Sequence, residues 1–224
     1  MILVDLLAEG AGKQVLKYLE SLLIGMFIWG MGAAFATAEP IKITAFGDSL
    51  MASYQLETAQ GFPAQLQKAL AAKGLEVEMT DAAVSGDTTS GGLERLDWSV
   101  PDGTDFVILE LGANDALRGS PPKAAEANLE AMIGKLKARN IKVILAGMLA
   151  PPNMGTAYEE AFNGIFPRLA KKHALPLIPF FLEGVAGAPE LQLEDHMHPN
   201  PKGVEKMVEN ALPVVLKSVS KPSQ

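Results

Sequence analysis

The run Ile41-Lys42-Ile43-Thr44-Ala45-Phe46-Gly47-Asp48-Ser49-Leu50 decides the fold and points to the chemistry. Ile41, Ile43 and the Ala45-Phe46 pair make a short, apolar, β-rich segment of the kind found in a sheet covered by helices on both faces. Gly47 ends it, because glycine lets the chain turn sharply and brings backbone close to whatever lies beside the turn. Leu50, Tyr54 and Leu56 then recur at near-helical spacing, so a helix is expected to start just after Ser49. A serine at such a strand-to-helix turn sits where open α/β sheets bind ligands and where unpaired N–H groups favour developing negative charge. Asp48 and Ser49 are equally at home as helix caps, and the tripeptide alone does not choose between a cap and a nucleophile.

The 224 residues suit one domain, and 48% hydrophobic residues supply a sizeable core. A net charge of −7 argues against a nucleic-acid groove or a basic membrane-surface face. Cysteine is absent. Disulfides, thiolate metal sites and a cysteine nucleophile are thereby removed. Ser21 to Phe35 is continuously apolar but shorter than a membrane span, and Ala36-Thr37-Ala38 has the small-x-small form of a cleavage site. Residues 1–38 are expected to be an export signal, which places the protein in the periplasm or outside the cell. The leader carries Asp5, Glu9 and Glu20 against Lys13 and Lys17, where export signals begin positively charged. An uncleaved inner-membrane anchor and a start at Met26 are the alternatives.

Along the rest of the chain, Gly61-Phe62-Pro63 opens an amphipathic helix that stops at Gly74. Val77 to Val84 reads as a less apolar strand suited to a sheet edge, and Ser85-Gly86-Asp87-Thr88-Thr89 turns into a short helix through Leu93 and Leu96. Phe106 to Leu111 is a buried strand followed by Gly112-Ala113-Asn114-Asp115, and Ser120-Pro121-Pro122 starts a long helix to about Arg139. Val143 to Ala146, a helix from Thr156 to His173, a short strand at Leu177-Ile178 and a closing helix to about Lys217 complete the order. Five strands alternating with helices imply an α/β domain over residues 39–217, a three-layer sandwich around a mainly parallel sheet with right-handed crossovers. Residues 218–224 read as a frayed tail.

In a parallel sheet the clusters that follow the strands share one edge. Ser49, Gly86, Asn114 and the Asp195/His198 pair therefore converge. A serine hydroxyl is a weak nucleophile until a base takes its proton, and histidine is the side chain suited to that work near neutral pH. Asp195 stands three residues before His198, close enough to hold one imidazole nitrogen while the other faces Ser49. The oxyanion formed by attack on an ester has three candidate donors: the N–H of Ser49, the N–H of Gly86 and the side-chain amide of Asn114. Gly86 and Asn114 also suit plain turns. Asp48, Asp87 and Asp115 read as caps and local acceptors. His196 reads as a rim residue and His173 as a favourable charge at a helix end.

Gly47-Asp48-Ser49-Leu50, Gly86 within Ser-Gly-Asp-Thr-Thr, Gly112-x-Asn114-Asp115 and Asp195-x-x-His198-Pro199 resemble, in order, the four blocks of the SGNH (GDSL) hydrolases. The bacterial arylesterase and thioesterase I/protease I/lysophospholipase branch is the most similar. The likeness spans nearly all of Ile41 to Leu216 and takes in Gly91-Gly92-Leu93-x-Arg95-Leu96. It implies a flavodoxin-like sheet, no cofactor, no metal, catalytic Ser49, Asp195 and His198, and an oxyanion hole from Ser49, Gly86 and Asn114. It also places Leu117, Arg118 and Gly119 on a loop beside the substrate. Pro151 to Tyr158, including Pro152, is a second candidate wall, with Phe162 and Phe166 behind it.

The branch commonly has a Thr-Ala-Gly-Tyr-Gly-like run where Met51-Ala52-Ser53-Tyr54-Gln55 stands here, and a glycine where His196 stands. Larger groups beside the nucleophile are expected to reshape the leaving-group side. The expected activity is a serine esterase for aryl or short-to-medium acyl esters, with acyl thioesters and lysophospholipids as related substrates. The expected partner is thus a small-molecule ester, thioester or lysolipid, with neither a nucleic acid nor an obligate protein partner. Competing readings are a carbohydrate O-deacetylase or transacylase, a non-catalytic envelope binding protein and a flavin- or phosphate-binding module in the same crevice.

Overall fold

The computed structural model describes residues 39–220, so the expected export signal lies outside the described residues. Five strands form the sheet: β1 (Ile41–Phe46), β2 (Val77–Asp81), β3 (Phe106–Glu110), β4 (Lys142–Ala146) and β5 (Leu177–Ile178). They lie in the order β2-β1-β3-β4-β5, and every pairing is parallel. The flavodoxin-like topology is therefore present, with its crossing point between β1 and β3. Ile43 pairs with Phe106 and Ile108 with Ile144, so the apolar centres of β1, β3 and β4 sit side by side. Every residue of β3 is buried, which is why that strand reads as apolar up to its last residue, Glu110. The second strand lies at an edge as expected, but ends at Asp81 rather than Val84.

Seven α-helices cover the two faces among the described residues. The first, α1 (Phe62–Ala71), starts after Gly61, buries Phe62, Leu66 and Leu70, and gives way to Gly74 at φ +80°. In α2 (Thr89–Ser99), the Thr88 hydroxyl accepts the Gly91 N–H. A single short turn, α3 (Ala113–Leu117), leads into α4 (Pro122–Ala138). Then follow α5 (Thr156–Asn163), α6 (Ile165–His173) and α7 (Pro201–Val219). The Asn200 side chain caps α7, accepting from the N–H groups of Lys202 and Gly203.

Three further expectations are corrected. No helix follows Ser49: residues 48–56 form successive turns, because Ser53 and Gln55 adopt left-handed backbone at φ 54° and 56°. The helix expected over Thr156–His173 is two, broken at Gly164; Pro167 has no N–H for the Asn163 carbonyl and its ring crowds that carbonyl. The closing helix runs to Val219, past Lys217.

Candidate active site

Each polar cluster sits just beyond the carboxyl end of a strand, or on the loop entering α7. Ser49 follows β1 by three residues, and its Oγ lies 2.8 Å from Nε2 of His198. The other imidazole nitrogen, Nδ1, lies 2.7 Å from Oδ2 of Asp195. With Nδ1 facing a carboxylate, the ring proton belongs there, and Nε2 is left to accept the Ser49 hydroxyl.

The loop carrying this pair is tied into shape. Asp195 Oδ1 accepts the N–H groups of Met197 and His198, both at 2.9 Å. Across the loop, the Leu193 N–H donates to the His198 carbonyl at 2.8 Å, and the Gln192 amide donates to the His196 carbonyl at 3.1 Å. The bonds made to its own carboxyl, led by that from the His198 N–H, hold Asp195 down at about 2. Tyr54 lays its ring against the imidazole, with centroids 4.3 Å apart, and so limits where His198 swings.

Gly86 adopts φ +82°, a left-handed conformation that glycine takes at no steric cost. The Arg118 guanidinium donates to its carbonyl at 2.9 Å and pins the turn. Asn114 stands in the first turn of α3, on a helix rather than in a bare turn. Its amide donates to Oδ2 of Asp48 at 3.0 Å, leaving a second N–H. Within the described residues, no hydrogen bond takes up the Ser49 or Gly86 backbone N–H.

These groups face a cavity of about 420 Å³, lined by Ser49, Tyr54, Gly86, Asn114 and His198 with Leu50, Leu117, Met148, Leu149, Pro151, Leu182 and Met197 among its apolar walls. Of the substrate contacts expected from the sequence, Leu117 lines this cavity. Arg118, Gly119, Pro152 and Tyr158 do not: Arg118 holds Gly86, Pro151 stands where Pro152 was expected, and the Tyr158 hydroxyl donates to the Ser120 carbonyl. Phe162 and Phe166 are core residues packed edge to face. Met51 is wholly buried and is not among the residues that line this cavity.

A larger groove of about 790 Å³ opens at the opposite edge, near the start of β4, and includes His173 and Ser218. Among the described residues it holds no comparable constellation, because the Ser218 hydroxyl donates to the Val214 carbonyl and His173 faces Glu130.

Sequence reasoning missed Tyr54, Leu149, Leu182 and Met197 as cavity walls, since no periodicity marks loop residues that converge only in space. It also passed over Glu110, whose signal was visible: one carboxyl inside the apolar run Phe-Val-Ile-Leu-Glu-Leu.

A seryl hydroxyl, an imidazole and a carboxylate in line at the carboxyl rim of a doubly wound sheet form the constellation of a serine hydrolase. Residues 45–206 match the model of the GDSL-like Lipase/Acylhydrolase family, and the chain belongs to that family as an esterase. It is 41% identical to an arylesterase of Vibrio mimicus over 72% of this chain and 81% of that protein. It is 35% identical to thioesterase 1/protease 1/lysophospholipase L1 of Escherichia coli K12, over 78% of this chain and 83% of that one. Among solved structures, the psychrotrophic esterase EstA of a Pseudoalteromonas species, inhibited by monoethylphosphonate, superposes with a TM-score of 0.76 at 32% identity. That match covers 81% of this chain and all of EstA.

Proposed function

We propose that the protein is an exported serine esterase that cleaves aryl and short-to-medium acyl esters, with thioesters and lysophospholipids open to the same chemistry, through an acyl-enzyme on Ser49. The observation that carries this reading is the unbroken line from Ser49 Oγ through the imidazole to Asp195, at 2.8 and 2.7 Å. His198 Nε2 takes the hydroxyl proton as Oγ attacks the acyl carbon, and Asp195 keeps the ring oriented and balances the imidazolium charge. The tetrahedral oxyanion is met by the N–H groups of Ser49 and Gly86 and by the Asn114 amide; losing one such donor typically costs about 10²–10³ in turnover. The imidazolium then gives its proton to the leaving oxygen or sulfur. Water, deprotonated in turn by His198, releases the acid and restores Ser49. The apolar wall of Leu50, Leu117, Met148, Leu149, Leu182 and Met197 favours acyl and aryl groups over sugars.

Ser49→Ala is expected to abolish hydrolysis of nitrophenyl butyrate and covalent labelling by a fluorophosphonate, with an unchanged circular dichroism spectrum. His198→Ala should be equally inactive and His196→Ala active; undiminished turnover in Ser49→Ala would refute the reading. Activity measured against nitrophenyl esters of rising chain length, acyl-CoA, lysophosphatidylcholine and acetylated sugar on one preparation separates the substrate classes. Export rests on the apolar run Ser21 to Phe35 and the Ala36-Thr37-Ala38 site. Amino-terminal sequencing of the protein from a periplasmic extract is expected to begin at Glu39. An intact leader in the membrane fraction would instead mean an anchor.

A further inference from the structure

Glu110 closes β3, and its side chain is wholly buried. Its Oε2 accepts the Asp48 N–H at 3.1 Å, which fixes the Gly47–Asp48 peptide unit, one residue ahead of the nucleophile. Gly47 packs over the same carboxyl so closely that a Cβ there would lie 2.5 Å from Oε2 and 2.8 Å from the Glu110 carbonyl oxygen. Asp48 is buried as well, and it passes the constraint on in two directions. One oxygen accepts the Leu50 N–H beyond Ser49, and the other accepts the Asn114 amide, both at 3.0 Å.

Two buried carboxyls this near each other disfavour a second charge. Burial, and then the charge on Asp48, push Glu110 well above the usual carboxylate range, and burial raises Asp48 to about 6. A buried carboxyl at this place in the sheet carries a desolvation cost that a leucine would not incur, so its contacts with the turn after β1, rather than apolar packing, account for it.

We propose that Glu110 is a positioning residue for the ester hydrolysis, holding the Gly47–Ser49 turn and, through Asp48, aiming the Asn114 amide at the place where the oxyanion forms. The proposal rests on Ser49 as nucleophile and Asn114 as oxyanion donor. What it adds is an acceptor on the neighbouring strand without which the two lose their mutual geometry.

The test compares Glu110→Gln, Glu110→Ala and the volume-matched Glu110→Met in the full chain, reading kcat and KM on nitrophenyl butyrate together with the melting temperature. Displacement of reacting groups by about 1 Å can cost on the order of a hundredfold, so Ala and Met should lower kcat by roughly that factor and leave KM within about threefold. Gln, which keeps an acceptor for the Asp48 N–H, should restore kcat to within about threefold of the parent. Adding Asn114→Ala to Glu110→Ala should cost less than it costs the parent, because both changes damage one unit. Undiminished kcat in Ala and Met overturns the proposal, as does a Gln variant as slow as Ala, a loss confined to KM, or effects of Glu110→Ala and Asn114→Ala that multiply independently. Failure of both Ala and Met to fold beside an active Gln variant assigns Glu110 to the fold and overturns it too. Absence of Ser49 labelling in the parent would instead sink the underlying reading, so the two failures are distinguishable.

Discussion

Asp195 does two jobs with one carboxylate. Its Oδ1 shapes the loop through two backbone N–H groups, and its Oδ2 orients the imidazole. Its folded value of about 2 lies below the ordinary 3.8, so the ionised form favours the fold. That contribution is complete above about pH 4 and drains away as pH falls towards about 2. Asp48 works with the opposite sign, since its raised value favours the fold at low pH. Comparison of the parent with Asp195→Asn cancels that effect. Urea midpoints across a pH series should show a gap between the two proteins that is constant above about pH 4 and closes towards pH 2; a gap that stays constant would contradict the assignment.

Residues Ser53, Gln55 and His196 stand where the related branch carries glycine, and all three have φ between 54° and 56°. The left-handed region is sterically costly for most side chains, and histidine is among the residues that tolerate it better. Accordingly His196→Gly should leave activity intact and stability within about 1 kcal/mol, whereas β-branched His196→Val should lose about 1–2 kcal/mol, read by urea unfolding.

At the scale of elements, Arg95 on α2 staples together the loops that follow β1 and β2. Its guanidinium donates to Asp87 at 2.6 Å, to the Ala82 carbonyl at 2.6 Å and to the Gly47 carbonyl at 3.0 Å, while lying 3.9 Å above the Phe46 ring. Both charged groups are almost fully buried, with side-chain exposures of 7% and 10%. Arg95→Leu would strand Asp87 without its counter-charge, and breaking such a pair costs about 3–5 kcal/mol. Urea unfolding of that variant should show the loss, with a weaker Gly86 turn as the functional consequence.

The strands were legible because burial on both faces leaves little room for polar residues, as in Val143–Ala146. The turns after Ser49 were not: Leu50, Tyr54 and Leu56 mimic a helix in spacing, and only the backbone angles of Ser53 and Gln55 undo it. The break before Ile165 was written in Gly164 and Pro167, yet the amphipathic pattern on either side outweighed them in reading.

For the molecule as a whole, the order β2-β1-β3-β4-β5 brings the ends of β1 and β3 together at the crossing point of the sheet. Ser49 follows one of these strands and Asn114 the other. The meeting of the Ser49 hydroxyl, the His198 imidazole and the Asn114 amide could be inferred from sequence because parallel strands must point their carboxyl ends the same way. The cavity wall could not, since Tyr54, Leu182 and Met197 reach it along irregular paths that depend on the rest of the packing.

Ser49 and His198 are hydrogen-bonded partners separated by 149 positions. A ribosome therefore delivers the hydroxyl long before its imidazole partner, and the unfinished polypeptide carries a serine without that partner until His198 is made. In the proposed mechanism, a product cut short ahead of Asp195 lacks both the base and the carboxylate that orients it, so hydrolytic power waits on synthesis of the loop that carries them.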